Sequence, residues 1–403
     1  MKTKQKILLT EGSSLSSRET LTALRHCGYQ IDILSCARFP LSAFSRWRHK
    51  VIRTVNANDH PRAYLEHMAK LVKAEKYCAV LPTHEQARLI AEAKILLPGS
   101  IPAAVAPAGA FAQTQSKMEF ARLLDVLGIP QPAWQPVVAG QSIRLPFPFW
   151  VKSEYGTAGQ SVYKVSNTRQ LTAAMASLPF TAGTLLLAQA NAEGQYGQVQ
   201  ALFDEGKMVA VHTSVQTGTG VGNSAAARQS VNFPATRRHI QMVGEYLCWQ
   251  GPITIDFIHR GGQPLYIECN PRMVEPANAE RAGVNFPHLL VQLTTGAHFG
   301  GPPQVGAPGV NTHSLQALLL GCAAQTGTRR AVLQTMLHFA FGKNSAEVLT
   351  PLWQDFPSII PLAVVFTALL ISPRNAGKFA HSAIKAYAVL PKTIEKLRNQ
   401  AAR

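Results

Sequence analysis

Short apolar runs alternating with longer stretches of helical spacing open the chain. Residues 6–10 (KILLT), 31–34 (IDIL) and 78–81 (CAVL) each read as a strand. Between them, residues 16–27 repeat Leu21, Leu24 and Cys27 at helical spacing and stop at Gly28, a residue that ends helices. Residues 63–74 and 86–97 are helical in pattern as well. Strands that alternate with helices predict a parallel sheet covered on both faces, here over residues 1–113.

The pattern then changes. Residues 114–185 hold a helix over 116–127, a stop at Gly128-Ile129-Pro130, an apolar run over 145–151 that contains Pro146 and Pro148, a glycine-containing turn over 154–161 and a strand over 162–165. Residues 185–300 are richest in strands, at 185–189, 199–203, 208–212, 253–258 and 265–268, with hairpin turns at 204–206 and 261–262. Residues 300–308 are rich in Gly and Pro and read as a linker, and 312–403 read as mostly helical. Four segments follow: 1–113, 114–185, 186–300 and 301–403.

Composition narrows the class. Of 403 residues, 46% are hydrophobic and 15% charged, which excludes a disordered chain. The six cysteines form no CxxC pair, so neither a zinc ribbon nor a disulfide framework is expected, and the thiols read as reduced. Residues 1–5 are basic, but the apolar run after them covers only 7–9, too short for a secretory leader. A cytoplasmic location is the expectation.

The formal charge is +17, with basic residues concentrated over 46–53 and in the C-terminal tail. Residues 357–372 (PSIIPLAVVFTALLIS) are strongly apolar but short of a membrane span, and Arg374, Lys378, Lys385, Lys392, Lys396, Arg398 and Arg403 follow. Two readings stay open. One is a buried helix followed by a solvated basic helix. The other is peripheral contact of this basic region with an acidic partner or with an anionic membrane, at its inner face. Nucleic acid is not an expected partner, since no known binding motif or aromatic stacking pattern accompanies the charge.

The densest chemistry lies over 253–272, ITIDFIHRGGQPLYIECNPR. Asp256 sits in one predicted strand, and Glu268 and Asn270 sit near the end of the next. Glu268 and Asn270 are two apart, so an extended chain puts both on one face, and a hairpin lets Asp256 face them. Two carboxylates and an amide oxygen make a hard oxygen site suited to Mg²⁺ held with nucleotide phosphates. An acid in an apolar strand is costly unless something compensates its charge. Cys269, between the two, falls on the opposite face and reads as a buried thiol.

With its Asp256, Glu268, Asn270 and Arg272, this hairpin resembles the ATP-grasp superfamily, and the resemblance extends over roughly residues 6–290. Ser116-Lys117 and the helix to Gly128-Ile129-Pro130 are similar to the family's "DK…lGIP" segment, with Ser116 for the usual Asp. Residues 148–152 (PFWVK) look like its second lysine strand, with Ser153 for the usual Pro. The fold implied is α/β and α+β: an ATP-grasp fold preceded by a Rossmann-like parallel-sheet domain and followed by a helical extension. The implied parts are a pre-ATP-grasp domain (1–113), a lid (114–185), a catalytic core with the metal site (186–300) and a basic C-terminal region (301–403).

The resemblance also implies roles. Asp256, Glu268 and Asn270 would bind Mg²⁺, for which Mn²⁺ can substitute. Lys117 and Lys152 would reach the ATP phosphates, and Gly156, Thr157, Ala158 and Gly159 would form the loop that closes over them. Gln189, Ala190 and Asn191 stand where the family lines its adenine pocket, without the usual acid and aromatic. Arg272 would hold the substrate carboxylate or the developing acyl phosphate, and Arg228, after a glycine-rich loop, would contact the same phosphate. Glu275, Asn278 and Arg281 would line the substrate pocket.

The implied activity is a carbon–nitrogen ligase that turns a carboxylate into an acyl phosphate with Mg-ATP and passes it to an amine. Alternatives are carboxylation or carbamoyl-phosphate chemistry and a non-catalytic nucleotide-binding protein. Small carboxylates and amines are the expected ligands, and a homodimer is one expectation because dimers are common in the family.

Overall fold

The computed structural model describes residues 4–96, 101–138, 141–156, 161–178, 186–342, 344–379 and 387–401. The first sheet is parallel and contains β1 (Lys6–Leu9), β2 (Gln30–Ser35), β3 (Lys50–Arg53) and β4 (Ala79–Leu81), in the order β3-β2-β1-β4. Ile7, Leu8, Leu9, Ile33, Val80 and Leu81 are buried, as a sheet covered on both faces requires. Strand β3 lies inside the basic run over 46–53, where charge masks the apolar signal of an edge strand.

A second sheet is antiparallel: β5 (Trp134–Val137), β6 (Phe149–Ser153), β7 (Val162–Val165) and β8 (Leu186–Ala190), in the order β5-β8-β6-β7. Strand β8 thus belongs with β5, β6 and β7, and the expected division between 185 and 186 cuts through that sheet. Helix Lys117–Val126 leads into it. Ser116 Oγ accepts from Glu119 N (3.1 Å), so the serine caps this helix as an aspartate would.

The largest sheet is built from β9 (Gln195–Asp204), β10 (Lys207–Thr219), β11 (Ala225–Ser230), β12 (Gly251–Arg260), β13 (Gln263–Asn270), β14 (Gln304–Val305), β15 (Asn311–His313) and β16 (Ala346–Glu347). Its order is β13-β12-β9-β10-β11-β15-β16, with β14 beside β10. Two-residue turns close two of its hairpins. Glu205 and Gly206 (φ 48° and 85°) and Gly261 and Gly262 (φ 59° and 82°) all take positive φ, the conformation whose twist matches paired strands. Strand β14 falls in the expected linker, and β15 and β16 fall in the region expected to be helical. Two or three residues borrowed from a distant strand leave no periodic trace.

Helices Leu315–Thr326, Arg329–Phe341 and Ile359–Ile371 pack together after β15. Leu362, Val365 and Leu369 face inward, each burial being worth about 1.5–3 kcal/mol. The basic end of the chain is a helix that buries one face and leaves Lys392, Lys396 and Arg398 exposed. Helix Pro391–Ala401 packs on helix Pro61–Glu75, with Ile394 and Leu397 buried and both Arg398 Nε and Nη2 on Glu92 (3.0 and 2.8 Å). Among the described residues no helix is long and apolar enough to cross a membrane.

Candidate active site

The hairpin β12–β13 places Asp256 directly opposite Glu268 and Thr254 opposite Asn270. On the other side of β12, Gln198 of β9 pairs with Asp256 and Gln200 with Thr254. One face of the three strands is therefore polar. The alternate residues Val199, Ala201, Ile253, Ile255, Phe257 and Cys269 belong to the main core. Burial pushes the Cys269 thiol well up. An irregularity in register after Asp256 leaves Ile267 as the extra residue of β13, and its carbonyl turns toward Lys152 Nζ (3.5 Å).

Asn270 Nδ2 donates to Asp256 Oδ2 (3.1 Å), while Asp256 Oδ1 is buried with no hydrogen-bond partner. Burial, then the nearby Glu268 carboxylate, push the Asp256 carboxyl up to about 7. Tyr196, Arg228 and Arg272 oppose that rise without cancelling it, and a divalent cation would add a further counter-charge. With the amide oxygen of Asn270 two residues beyond Glu268, the donors present fit Mg²⁺. Among the described residues no three His, Cys, Asp or Glu cluster for a metal.

Both lysines come from outside the large sheet. Lys117 Nζ lies 3.2 Å from Glu268 Oε1 and is almost wholly buried. Its position follows from the Ser116 cap and from Lys117 N, which donates to Glu154 O (3.0 Å). Lys152 Nζ, on β6, donates to Gln189 Oε1 on β8 (2.6 Å). Burial lowers the Lys152 ammonium to about 8, with Glu268 opposing. Gly156 stands at the same spot: a Cβ built there would lie 4.0 Å from Lys117 Nζ. Thr157, Ala158 and Gly159 lie outside the described residues.

The remaining candidates divide. Gln189 joins the site through Lys152. Ala190 N donates to Ala133 O (2.8 Å), and Asn191 Oδ1 accepts from Trp150 Nε1 (3.1 Å), so the structure does not bring these two to the lysines. Arg272 Nη2 lies 3.4 Å from Asn270 Oδ1, and its buried Nη1 has no partner. Arg228 pairs with Glu275, and its own Nη1 is buried and unpartnered. Glu275 and Asn278 line a small cavity with Glu19, Arg228, Thr312 and His313. Arg281 is exposed, 4.0 Å from Glu280, and does not line that cavity.

Three residues escaped the sequence reading. Glu19 lies in the cavity, and burial followed by Glu275 pushes its carboxyl up to about 8. The ring of His84 is 4.2 Å from that of Tyr387, and His84 Nδ1 is buried without a partner. Burial and then the Arg272 charge push the His84 imidazole well down, which places this pair on the Arg272 side of the cleft. Gln86 Nε2, at the start of helix Gln86–Leu96, donates to Tyr387 O (2.8 Å) and ties the returning C-terminal segment down. No local motif marks any of the three, since each acts across a long stretch of chain.

A lid sheet and a large sheet with lysines converging on paired carboxylates define an ATP-grasp fold behind a parallel-sheet domain. Residues 114–276 match the family of the ATP-grasp domain, so this part of the chain carries an ATP-grasp domain. An L-amino acid ligase from Bacillus licheniformis superimposes with a TM-score of 0.58 at 14% identity, over 73% of this chain and 75% of that one. The biotin carboxylase domain dimer of Hydrogenobacter thermophilus 2-oxoglutarate carboxylase, in complex with MgADP, ADP and bicarbonate, gives 0.58 at 16%, over 75% and 72%. The carbamoyl phosphate synthase large chain of Thermomicrobium roseum is 27% identical over 205 residues, which are 46% of this chain and 19% of that one. The chain spans less than a fifth of the curated relatives it matches.

Proposed function

We propose that the chain is an ATP-dependent ligase that converts a carboxylate into an acyl phosphate and transfers the acyl group to an amine. The observation that carries this reading is Asp256 opposite Glu268, with a buried and unpartnered Asp256 Oδ1, buried Lys117 on Glu268 and buried Lys152 against the neighbouring Ile267 carbonyl. Asp256, Glu268 and Asn270 would hold Mg²⁺, which when bound neutralises phosphate charge, with Mn²⁺ as a substitute. Lys117 and Lys152 would grip the phosphates of ATP beneath residues 156–159. The strand β8 and Asn191 would border the adenine.

A carboxylate oxygen of the acid attacks the γ-phosphorus of ATP, and the bond from that phosphorus to the bridging oxygen breaks, releasing ADP. The amine nitrogen then attacks the acyl carbon, phosphate leaves, and the amine gives up a proton. These residues position and neutralise rather than form covalent bonds. Arg272, with Nη1 free and His84 and Tyr387 beside it, would hold the acid, and Arg228 would act from the Glu275 side.

The test is ATP-dependent release of ADP and phosphate with Mg²⁺ across a panel of acids, with and without amines. Release that requires one acid and one amine supports the ligase. Release driven by bicarbonate alone favours carboxylation, a reading that the bicarbonate-bound neighbour supports. AMP and pyrophosphate as products would exclude the acyl phosphate, and absence of ATP binding would leave a non-catalytic chain. Glu268→Ala should abolish turnover with the thermal midpoint retained. Light scattering tests the homodimer in the same preparation.

A further inference from the structure

The exposed apolar residues are concentrated beside helix Ile359–Ile371. Trp353 is 101% exposed and Phe356 72%, and the helix adds Ile360 (48%), Val364 (56%) and Ile371 (67%). Ile360, Val364, Thr367 and Ile371 follow helical spacing, so the outer face carries a single polar side chain, the hydroxyl of Thr367. The opposite face, with Leu362, Val365 and Leu369, is already in the core. Folding therefore accounts for one side of this helix and leaves the other uncovered. A patch of this kind marks an interaction surface rather than chance exposure.

The charge around it is of one sign. Residues 329–394 contain two acids, Glu347 and Asp355. Both are committed inside the protein: Glu347 accepts from Leu315 N, Leu349 N and Thr350 N (2.7–2.8 Å), and Asp355 pairs with Arg18 (2.6 Å). Arg329 Nη2 reaches Ile371 O at one end of the helix (2.6 Å), and exposed Arg374 and Lys378 follow. At the other end Arg46 N donates to Asp355 Oδ1 (2.7 Å). There an open groove of about 540 Å³ is lined by Lys4, Arg25, His26, Arg46, Trp47 and Gln354, next to Trp353 in the chain.

We propose that this face, formed by Trp353, Phe356, Ile360, Val364 and Ile371 with its basic rim, seats on an anionic phospholipid surface. At 13 residues the helix is about 20 Å long, shorter than the hydrocarbon core, so it lies in the plane of the headgroups. Its apolar side chains enter the acyl boundary, Trp353 sits at the interface where indoles are favoured, and Arg46, Arg329, Arg374 and Lys378 meet phosphates. A second copy fits poorly, because two faces with the same positive rim repel each other. The surface is distinct from the basic terminal helix, which is spent on helix Pro61–Glu75.

The experiment is flotation of the full chain with vesicles containing phosphatidylglycerol, against pure phosphatidylcholine vesicles. The chain should float with the anionic vesicles only, less so as salt rises. Ile360→Ser with Val364→Ser should weaken flotation about tenfold or more with little loss in the thermal midpoint, since about half of each residue is already exposed to water. Arg374→Glu with Lys378→Glu should weaken it about as much without touching the apolar face. Failure to float, or flotation unchanged by either pair, overturns the proposal. So does a concentration-dependent dimer that Ile360→Ser dissociates in a chain that does not float, an outcome that assigns the face to a second copy.

Discussion

Two buried charge clusters of this chain treat their polar atoms differently. Around Arg18 and Asp355 the groups are matched. Arg18 Nη2 reaches Asp355 Oδ2 (2.6 Å), Arg18 Nη1 reaches Thr22 Oγ1 (2.9 Å), and Asp355 Oδ1 accepts from Arg46 N (2.7 Å). The side chains are 1% and 0% exposed. In the cleft, by contrast, Asp256 Oδ1, Arg272 Nη1 and Arg228 Nη1 are buried without partners. Each such atom costs about 1–3 kcal/mol, which folding alone gives no reason to keep. The first cluster holds the C-terminal region to helix Leu15–Leu24. The second leaves three of its polar atoms unmatched.

The comparison breaks most sharply when one acid is removed from each cluster. Asp355→Ala leaves Arg18 buried without its partner and should cost about 3–5 kcal/mol, read as a lower midpoint in urea, with ATP affinity of the folded fraction unchanged. Asp256→Asn should do the reverse. The Asp256 carboxyl sits at about 7 in the fold against an ordinary 3.8. Between those values the folded chain holds a proton that the unfolded chain has released. Stability of the metal-free protein therefore falls as pH rises from about 4 to 7 and stays low above. The amide removes that penalty, so at pH 8 the variant should be about 2–4 kcal/mol more stable while losing roughly 10²–10³ in turnover. Equal destabilisation by both substitutions would erase the distinction.

How much of this could be read from the sequence follows the same division. The hairpin was legible because it is local: Asp256, Glu268 and Asn270 are set by strand alternation, and two glycines announce the turn between them. The β1, β2 and β4 strands were legible from apolar runs. What escaped depends on distant chain. Asp355 meets Arg18 across 337 positions, and Tyr387 stacks on His84 from the far end of the chain. The basic tail read as solvated or membrane-facing because charge was visible and its partner Glu92, 306 positions away, was not. Strands β14–β16 have two or three residues each, too few for any period to show.

A milder test concerns a lysine rather than an acid. Lys152 spends its ammonium on Gln189 Oε1 (2.6 Å) and the Ile267 carbonyl (3.5 Å), both neutral, and burial lowers it to about 8. Lys152→Met removes a charged donor and relieves a desolvated group. Its fold should survive, while ATP binding by calorimetry should weaken by about 1.5–3 kcal/mol, the value of a hydrogen bond to a charged group. If binding holds and the midpoint collapses instead, Lys152 belongs with Arg18 as a structural charge.

The smallest effect expected comes from His212, a buried base between the two kinds of cluster. Its Nε2 is 3.1 Å from Ser230 Oγ, and its Nδ1 is buried with no partner. Burial first, then the charge of Arg228, lower its imidazole to about 3 from an ordinary 6.5. The folded ring therefore stays neutral to about pH 3, whereas the unfolded chain takes up its proton below 6.5. The stability tied to this residue is whole above 6.5 and drains as pH falls toward 3, with about 2 kcal/mol gone by pH 5. The side-chain amide introduced by His212→Gln titrates nowhere in this range and keeps a donor near Ser230. The midpoint of the variant should fall less than that of the parent between pH 7 and pH 5, whatever the offset at pH 7. Parallel slopes would mean that the ring is protonated in the fold and that Arg228 does not stand close enough to forbid it.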